Sequence, residues 1–311
     1  MPDYEISTIS DLEDAISEIR EKSSAGTYYA TLINDIDGGW EEFPTISDYT
    51  ANGRYIDFDL NGHEIKQFTL PSTGLIYLAA GDILRNGSIY NIYGEDLASP
   101  FLAGVNLSKM SISAKVKNCT GTPLSNVMFD RCATWLDIEN FDPASTIIAG
   151  DPRYLITLRA PDILDPDTSK NCEESDFYIH IKNYNVTKGY IFKSLGGSTG
   201  LSTPRYCRLQ GGIDSITPST IEEYPYISDS DVGLIETVFN FSLPTYSGTI
   251  SGTTDKLYGV GTTGVINTDL ILSSNVDYTM QGIIAVDNTT MHNAEALTTA
   301  GFPVYDISPS S

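Results

Sequence analysis

Short stretches in which apolar and polar residues alternate recur along most of the chain. In Ile56–Leu60, three apolar side chains alternate with Asp57 and Asp59, which places them on one face of a strand. The helical patterns of ~10–15 residues that a doubly wound α/β sheet needs between its strands are absent. The pattern therefore predicts an all-β chain with strands at residues 28–36, 56–60, 65–70, 75–78, 88–92, 110–116, 127–129, 135–138, 155–158, 177–181, 190–192, 235–241, 257–260, 265–272 and 282–286.

Two segments show helical patterns instead. Leu12, Ile16 and Ile19 share one face of a helix, and Ser10 with Glu13 has the spacing of a capping box, so an amphipathic helix is predicted to begin at Ser10. A second, short helix is predicted for the C-terminal region. It covers residues 291–300, with Thr290 as its N-cap and a Gly-Phe-Pro stop after it; the tail 304–311 is predicted to be extended.

The strands are predicted to form the coils of a β-solenoid. The segments 81–93, 107–118, 124–132 and 177–183 each contain short strands around a polar corner, like successive coils of one repeat without a strict period. Connections between them are longer and less regular than tight hairpins, which favours the solenoid. A β-sandwich is the alternative architecture.

The pattern divides the chain into three parts. Residues 1–54 hold the first helix and first strand, residues 55–285 the body of the solenoid, and residues 286–311 the C-terminal helix and tail. A segment rich in Pro, Ser and acids, 214–232, interrupts the body. It is predicted to be either a long loop on the coil or a domain boundary.

Charge and composition exclude several classes of function. The chain has 41 acidic and 18 basic residues, a formal net charge of −23, so a nucleic acid would be repelled. The longest apolar stretch, 75–80, is too short to cross a bilayer, and the first residues show neither the basic start nor the apolar segment of a signal peptide. Acidic residues predominate in the two ends of the chain, residues 1–53 and 209–311, whereas residues 54–208 carry nearly equal numbers of acidic and basic residues.

The cysteines and histidines do not indicate a metal site. Cys119, Cys132, Cys172 and Cys207 form no Cys-x-x-Cys pair and are too sparse for a disulfide scaffold, so four reduced, buried thiols are expected. The three histidines are His63, His180 and His292, and no two of them have the spacing of metal ligands. His180 lies in an alternating segment and is expected to be a hydrogen-bonded strand residue.

Asp57 and Asp59 are the strongest catalytic candidates. Two residues apart on a strand at ~3.3 Å per residue, their carboxylates lie ~7 Å apart, within the ~6.5–9.5 Å typical of inverting glycosidases. Both point to the polar face of the strand, opposite Ile56, Phe58 and Leu60. We therefore expect two ionised surface carboxylates and not a catalytic pair.

Three further motifs have simpler interpretations. The Gly-x-Ser-x-Gly match at 196–200 is followed by a proline where a nucleophile elbow needs a helix, so a glycine-rich loop is expected. The segment starting at Asp165 lacks the glycine and the final glutamate of a calcium-binding EF-hand loop. Asp229 and Asp231 repeat the spacing of the first pair within a predicted loop, and no phosphate-binding or dinucleotide motif is present.

The order of elements at the N-terminus resembles a known family. A short amphipathic helix, a strand, a glycine turn, the segment Ile56–Gly62 and then irregular coils look like the pectate-lyase-like right-handed parallel β-helices of phage tailspikes and other virion surface proteins. The resemblance covers residues 8–140. It implies a right-handed parallel β-helix whose open end is covered by the N-terminal helix. Enzymes of that family carry paired carboxylates or calcium sites, and no diagnostic set of either is found here.

The resemblance and the composition favour a non-enzymatic structural protein on the surface of a bacteriophage virion, as a capsid decoration, fibre or tail protein. Expected partners are other virion proteins and further copies of the chain, with host-surface polysaccharide in addition; neither nucleic acid nor membrane is expected. No catalytic residue, metal site or cofactor is predicted, and the binding residues are not identified. The alternative is a tailspike enzyme that binds or cleaves polysaccharide, because the many tyrosines could stack on sugars. A bacterial adhesin is a third hypothesis, weakened by the missing signal peptide.

Overall fold

The chain folds into a parallel β-solenoid. A computed structural model describes residues 3–43, 53–72, 76–77, 82–142, 153–158, 172, 174–194, 207–221, 238–242, 249–250, 270–274, 278–282 and 304–307. Strands of neighbouring coils pair in parallel from the N-terminal strand to the strand at 270–274. The predicted parallel β-helix is thus confirmed, and the β-sandwich alternative is wrong because a sandwich is built from antiparallel pairs.

The elements of the described residues are one helix and 21 strands. In chain order they are β1 (Tyr4–Ile6), α1 (Ile9–Glu21), β2 (Gly26–Leu32), β3 (Ile36–Asp37), β4 (Arg54–Asp59), β5 (Glu64–Leu70), β6 (Ile76–Tyr77), β7 (Ile83–Leu97), β8 (Leu102–Ala103), β9 (Asn106–Cys119), β10 (Leu124–Asp130), β11 (Ala133–Phe141), β12 (Arg153–Leu158), β13 (Asp176–Tyr184), β14 (Gly189–Ser194), β15 (Arg208–Ile216), β16 (Thr220–Ile221), β17 (Val238–Ser242), β18 (Thr249–Ile250), β19 (Leu270–Ser274), β20 (Tyr278–Gly282) and β21 (Val304–Ile307).

Inward-pointing side chains stack from coil to coil and form the core. In one such column Ile65, Ile89 and Ile112 are register partners on β5, β7 and β9, and all three are buried. The column continues through Thr134 to Phe177 on β11 and β13. Because the alternation of period two repeats in every coil, each strand contributes one face to a continuous apolar core.

One corner of the coil is made by residues in the left-handed region of backbone space. Five residues, each just before a core strand or strand segment, have φ between 46° and 58°: Asn61, Asn86, Lys109, Arg131 and Glu174. Asparagine adopts this conformation readily, and it marks the first two of these corners in the sequence. The lysine, arginine and glutamate do not mark a turn, which is why the later corners cannot be found from composition.

The length of the coils varies, which explains why no strict period is visible. Ser108 on β9 bonds Asp130 on the next coil, 22 residues later. Asp137 and His180 are paired across 43 residues, whereas Ser215 and Asn183 are 32 residues apart. The strands keep their register while the connections between them differ in length.

The N-terminal helix begins two residues earlier than predicted. Its N-cap is Thr8, whose hydroxyl accepts a hydrogen bond from the Asp11 amide, and the Asp11 carboxylate completes the capping box by accepting from the Thr8 amide. Hydrogen bonds from Ser7 and Thr8 lower the pKa of Asp11 to about 2. The predicted Ser10–Glu13 box is therefore wrong: Ser10 already lies inside the helix.

The buried face of α1 agrees with the predicted stripe. Leu12, Ile16 and Ile19 are buried, together with Ala15, and the helix packs against β1 and β4. The region 1–54 contributes more than a helix and one strand, because β1, β2 and β3 all pair with neighbouring coils.

A buried ion pair joins this helix to the solenoid. Arg20 near the end of α1 contacts Asp82 just before β7, and their side chains are 7% and 0% exposed. The second carboxylate oxygen of Asp82 accepts a hydrogen bond from the Ile56 amide at 2.8 Å, and Arg20 donates to the carbonyl of Arg54. The pair fastens the helix to two successive coils.

Several predicted boundaries change in the structure. The predicted strand 28–36 is two strands, β2 and β3. The predicted break 214–232 begins within β15, and β16 also lies inside it; residues 222–232 lie outside the described residues. The predicted C-terminal helix 291–300 also lies outside them. Residues 304–307 of the predicted extended tail form β21, antiparallel to β20.

All four cysteines are buried. Burial raises the pKa of Cys119 to about 12 and that of Cys132 to about 11, so both thiols stay protonated and unreactive. The sulfur atoms of Cys172 and Cys207, on neighbouring coils, lie 3.8 Å apart. That all four thiols are reduced stays a prediction.

Candidate functional site

The predicted carboxylate pair is an ion-pair cluster. Arg85 on β7 donates from Nε to Asp57 at 2.6 Å, and its Nη1 lies 2.5 Å from Asp59. Asp59 also accepts hydrogen bonds from the amide of Asn61 and the side chain of Asn86. Burial opposes the charge on Arg85, but the two carboxylates outweigh it and raise the pKa of the guanidinium. These contacts hold neighbouring coils together.

Most of the other sequence candidates lie outside the described residues. This applies to the glycine-rich loop 196–200, the segment 165–171, the pair Asp229 and Asp231, and His292. His63 is described and bonds Asp35 at 3.1 Å. Within the described part of the chain, no cluster of three or more His, Cys, Asp or Glu could hold a metal ion, and no helix there is long and apolar enough to cross a membrane.

Two stacked aromatic side chains stand on the outer face of the solenoid. Trp135 on β11 and Tyr178 on β13 are register partners, with ring centroids 3.8 Å apart and an interplanar angle of 25°. The tryptophan is 50% exposed. We call these two residues the aromatic platform. Because strand register fixes both backbones, the rings occupy their positions before any ligand arrives.

A shallow groove of about 310 Å³ runs beside the aromatic platform. Residues of four successive coils line it. Ser111 and Ser113 come from β9, Asp176 from β13 and Gln210 from β15, and Ser113, Trp135, Tyr178 and Gln210 form one register column. Hydroxyl, carboxylate and amide groups thus surround an apolar, planar surface.

A row of charged residues borders the other side of the platform. His180 follows Tyr178 by two residues on the same face of β13, and its two ring nitrogens lie 3.0 Å from Asp137 and 3.1 Å from Asp214. Lys115 is 3.7 Å from Asp137. Burial opposes protonation of His180, but the hydrogen bonds and charges of both carboxylates outweigh it and raise the pKa of the imidazole. The expectation that His180 is a hydrogen-bonded strand residue is confirmed.

His180 should make the stability of the fold depend on pH. Its folded-state pKa is raised above the unfolded value of about 6.5, so the contribution is fully present below pH 6.5 and is lost as the pH rises through the folded pKa. We expect His180→Gln to lower the urea midpoint at pH 5.5 and to have a smaller effect at pH 9. An equal effect at both pH values would show that the charge on His180 is not involved. Because the imidazole is 34% exposed, the difference is expected to be modest.

The geometry of the platform is suited to binding a sugar. A sugar ring has an apolar face that packs on an indole or phenol ring, while its hydroxyls need polar partners at the edge of that ring. The platform and the groove supply both. The described residues around them hold no nucleophile paired with a base: His180 already contacts two carboxylates and is fixed between three coils.

Sequence reasoning did not identify the platform. The alternation pattern places Trp135 and Tyr178 in the predicted strands 135–138 and 177–181 and gives neither a role. The two residues are 43 positions apart in the sequence but are register partners. The alternation pattern does not show how much chain lies between two paired strands, so it cannot show that these two side chains meet. One signal was available: Trp135 falls on the polar face of the alternation Thr134–Ile138, where a large aromatic side chain is out of place unless it contacts a ligand or a neighbour.

Comparison with known proteins adds no assignment. No protein-family model matches the sequence, and no curated protein or solved structure is detectably similar to it. The function is therefore inferred from the fold and from the side chains on its surface.

Proposed function

We propose that the protein is a non-enzymatic structural component of a bacteriophage virion surface that binds host-surface polysaccharide at the aromatic platform. The observation that carries the proposal is the half-exposed indole of Trp135, stacked on Tyr178 beside a polar groove. Exposed, preorganised aromatic side chains of this size favour a specific contact over solvent.

The surroundings of the platform favour a carbohydrate over an apolar ligand. Ser111, Ser113 and Gln210 provide hydroxyl and amide groups at the edge of the rings, which suits a ligand that carries hydroxyls all around a small apolar face. An apolar ligand would leave these groups without partners and would pay for their desolvation. The net charge of −23 further disfavours a strongly anionic ligand.

A structural role is supported by the way the coils are joined. Pairs of charged residues link successive coils along the outer face, including Lys117 with Glu95 and Lys182 with Glu139. With the continuous core inside, these contacts make the body a stiff spacer. The virion setting rests on the resemblance of the N-terminal elements to virion surface β-helices and on the acidic composition, which keeps a surface protein soluble and away from packaged nucleic acid.

The platform can be tested by tryptophan fluorescence, because the chain has only two tryptophans. Trp40→Phe removes the other one and leaves Trp135 as the reporter. We expect polysaccharide from a susceptible host to change the emission of Trp40→Phe in a saturable titration. In the otherwise unchanged chain, Trp135→Ala should weaken binding at least ~10-fold, the equivalent of ~1.4 kcal/mol, when binding is measured by calorimetry. Unchanged affinity in Trp135→Ala would refute the proposal, provided that its urea midpoint matches the parent.

A further inference from the structure

A ladder of polar side chains crosses five successive coils at another corner of the solenoid. Its members are register partners on β7, β9, β11, β13 and β15, and each donates a hydrogen bond to the member before it. The bonds run from Asn118 to Asp96 at 2.7 Å, from Asn140 to Asn118 at 2.9 Å, from Asn183 to Asn140 at 2.8 Å and from Ser215 to Asn183 at 2.7 Å. We call this set the amide ladder.

The ladder fixes the orientation of three amides. Asn118, Asn140 and Asn183 each use one N–H to donate along the ladder and their Oδ1 to accept from the next coil. An asparagine side chain has two N–H donors and an oxygen with two lone pairs, so one donor and one lone pair remain on each amide. These remaining groups recur on three successive coils at the ~4.8 Å spacing of strands.

A groove of about 710 Å³ lies along the amide ladder. Its second wall is a row of polar side chains just past the buried strand ends: Thr120, Asp142, Asn185 and Thr217. Thr217 donates to the Oδ1 atom of Asn185 at 3.0 Å, so this row is also partly ordered from coil to coil. Both walls therefore present hydroxyl and amide groups along the axis of the solenoid.

The lining of the groove restricts the chemistry of an occupant. The groove contains two carboxylates, those of Asp96 and Asp142, among amide and hydroxyl side chains. No lysine, arginine or histidine is among the described residues that line it. An anionic polymer would be repelled by the two carboxylates and would find no cationic side chain among these residues. Among the described residues that line the groove there is no aromatic side chain, and the one apolar residue, Cys119, is buried. The groove therefore offers no apolar surface to a hydrophobic ligand and no apolar pocket to the side chains of a peptide.

We propose that this groove binds an uncharged, linear polyhydroxyl polymer, that is, a neutral polysaccharide, lying along the axis of the solenoid. The three coils that carry Asn118, Asn140 and Asn183 each offer it one donor and one acceptor, so that hydroxyls of successive sugar units meet repeating partners. Hydrogen bonding within the ladder sets these groups in place before binding and lowers the entropic cost. The groove is separate from the aromatic platform: Trp135 and Asn140 are five residues apart on β11, ~17 Å at ~3.3 Å per residue.

The test uses Trp135→Ala as the parent chain, so that binding at the aromatic platform and binding in the groove are distinguished. Calorimetry with neutral cello-, laminari- and isomalto-hexasaccharides is compared with carboxymethylated dextran. We expect at least one neutral oligosaccharide to bind and the carboxymethylated polymer to bind at least ~10-fold more weakly.

Two sets of substitutions then locate the site. The double variant Asn185→Ala, Thr217→Ala removes polar groups from the second wall of the groove and leaves the amide ladder intact. Its urea midpoint should stay close to that of the parent, while its affinity for the oligosaccharide should fall at least ~10-fold. Asn140→Ala breaks the ladder and should lower both affinity and stability. The proposal is overturned if no neutral oligosaccharide binds, if the anionic polymer binds equally well, or if Asn185→Ala with Thr217→Ala binds like the parent. If no oligosaccharide binds, the ladder acts in stability alone.

Discussion

Asp82→Ala is expected to lower the free energy of unfolding by about 3–5 kcal/mol, the range observed when one partner of a buried ion pair is removed. The reason is the full burial of this carboxylate, which binds Arg20 through one oxygen and the Ile56 amide through the other. The substitution leaves a guanidinium 93% shielded from water without its counter-ion and removes the acceptor of a buried amide. It also detaches α1 from the coil that begins with β7.

Urea denaturation followed by circular dichroism measures this loss. Glu18→Gln is the matched control, because it removes a carboxylate from the exposed pair with Lys22 on the same helix and should leave the urea midpoint close to that of the wild-type chain. Replacing both partners, Arg20→Met with Asp82→Leu, should recover much of the loss, since apolar side chains need no counter-ion. A loss for Asp82→Ala as small as that of the control would show that the pair does not hold the helix.

Ile16→Asp should have the second large effect. Ile16 is 1% exposed in the face of α1 that packs on β1 and β4. Removing a buried aliphatic side chain typically costs ~2–5 kcal/mol, and an unpaired carboxylate in the same place adds a desolvation cost. We therefore expect a loss of at least ~4 kcal/mol, together with aggregation, because a displaced helix uncovers strand edges and core at the end of the solenoid.

Ser17→Asp provides the control for this substitution. Ser17 follows Ile16 on the exposed face of the same helix, so the variant carries the same added charge without entering the core. Urea midpoints and light scattering of the two variants are compared at equal concentration. Equal stability of Ile16→Asp and Ser17→Asp would mean that α1 does not cap the solenoid.

Local sequence patterns were sufficient for the elements but not for their ends. Alternation of period two placed most strands correctly, because one face of every coil is buried and its side chains must be apolar. The helix stripe at Leu12, Ile16 and Ile19 was correct for the same reason. The N-cap was misplaced because Ser10 and Thr8 can both cap, and only the packing of the preceding strand β1 selects Thr8.

Features that join distant coils were not predictable. Arg20 and Asp82 are 62 residues apart, and nothing in either local pattern shows that they meet. The amide ladder depends on a register set by coils of 22, 43 and 32 residues. A single inserted residue in any connection is invisible to alternation yet decides which side chains stack. The candidate sites lie on such columns, so they emerged only once the register was known.

The most direct test of the central claim follows one host polysaccharide through both binding and chain length. The purified protein is incubated with polysaccharide from a susceptible host, bound polymer is measured by co-sedimentation, and the length of the polymer is measured by light scattering after size exclusion. A non-enzymatic binding protein predicts that the polymer sediments with the wild-type chain, less with Trp135→Ala, and keeps its length throughout. Shortening of the polymer that stops in Asp57→Asn or Asp59→Asn would contradict the account and assign catalysis to the pair that Arg85 now holds.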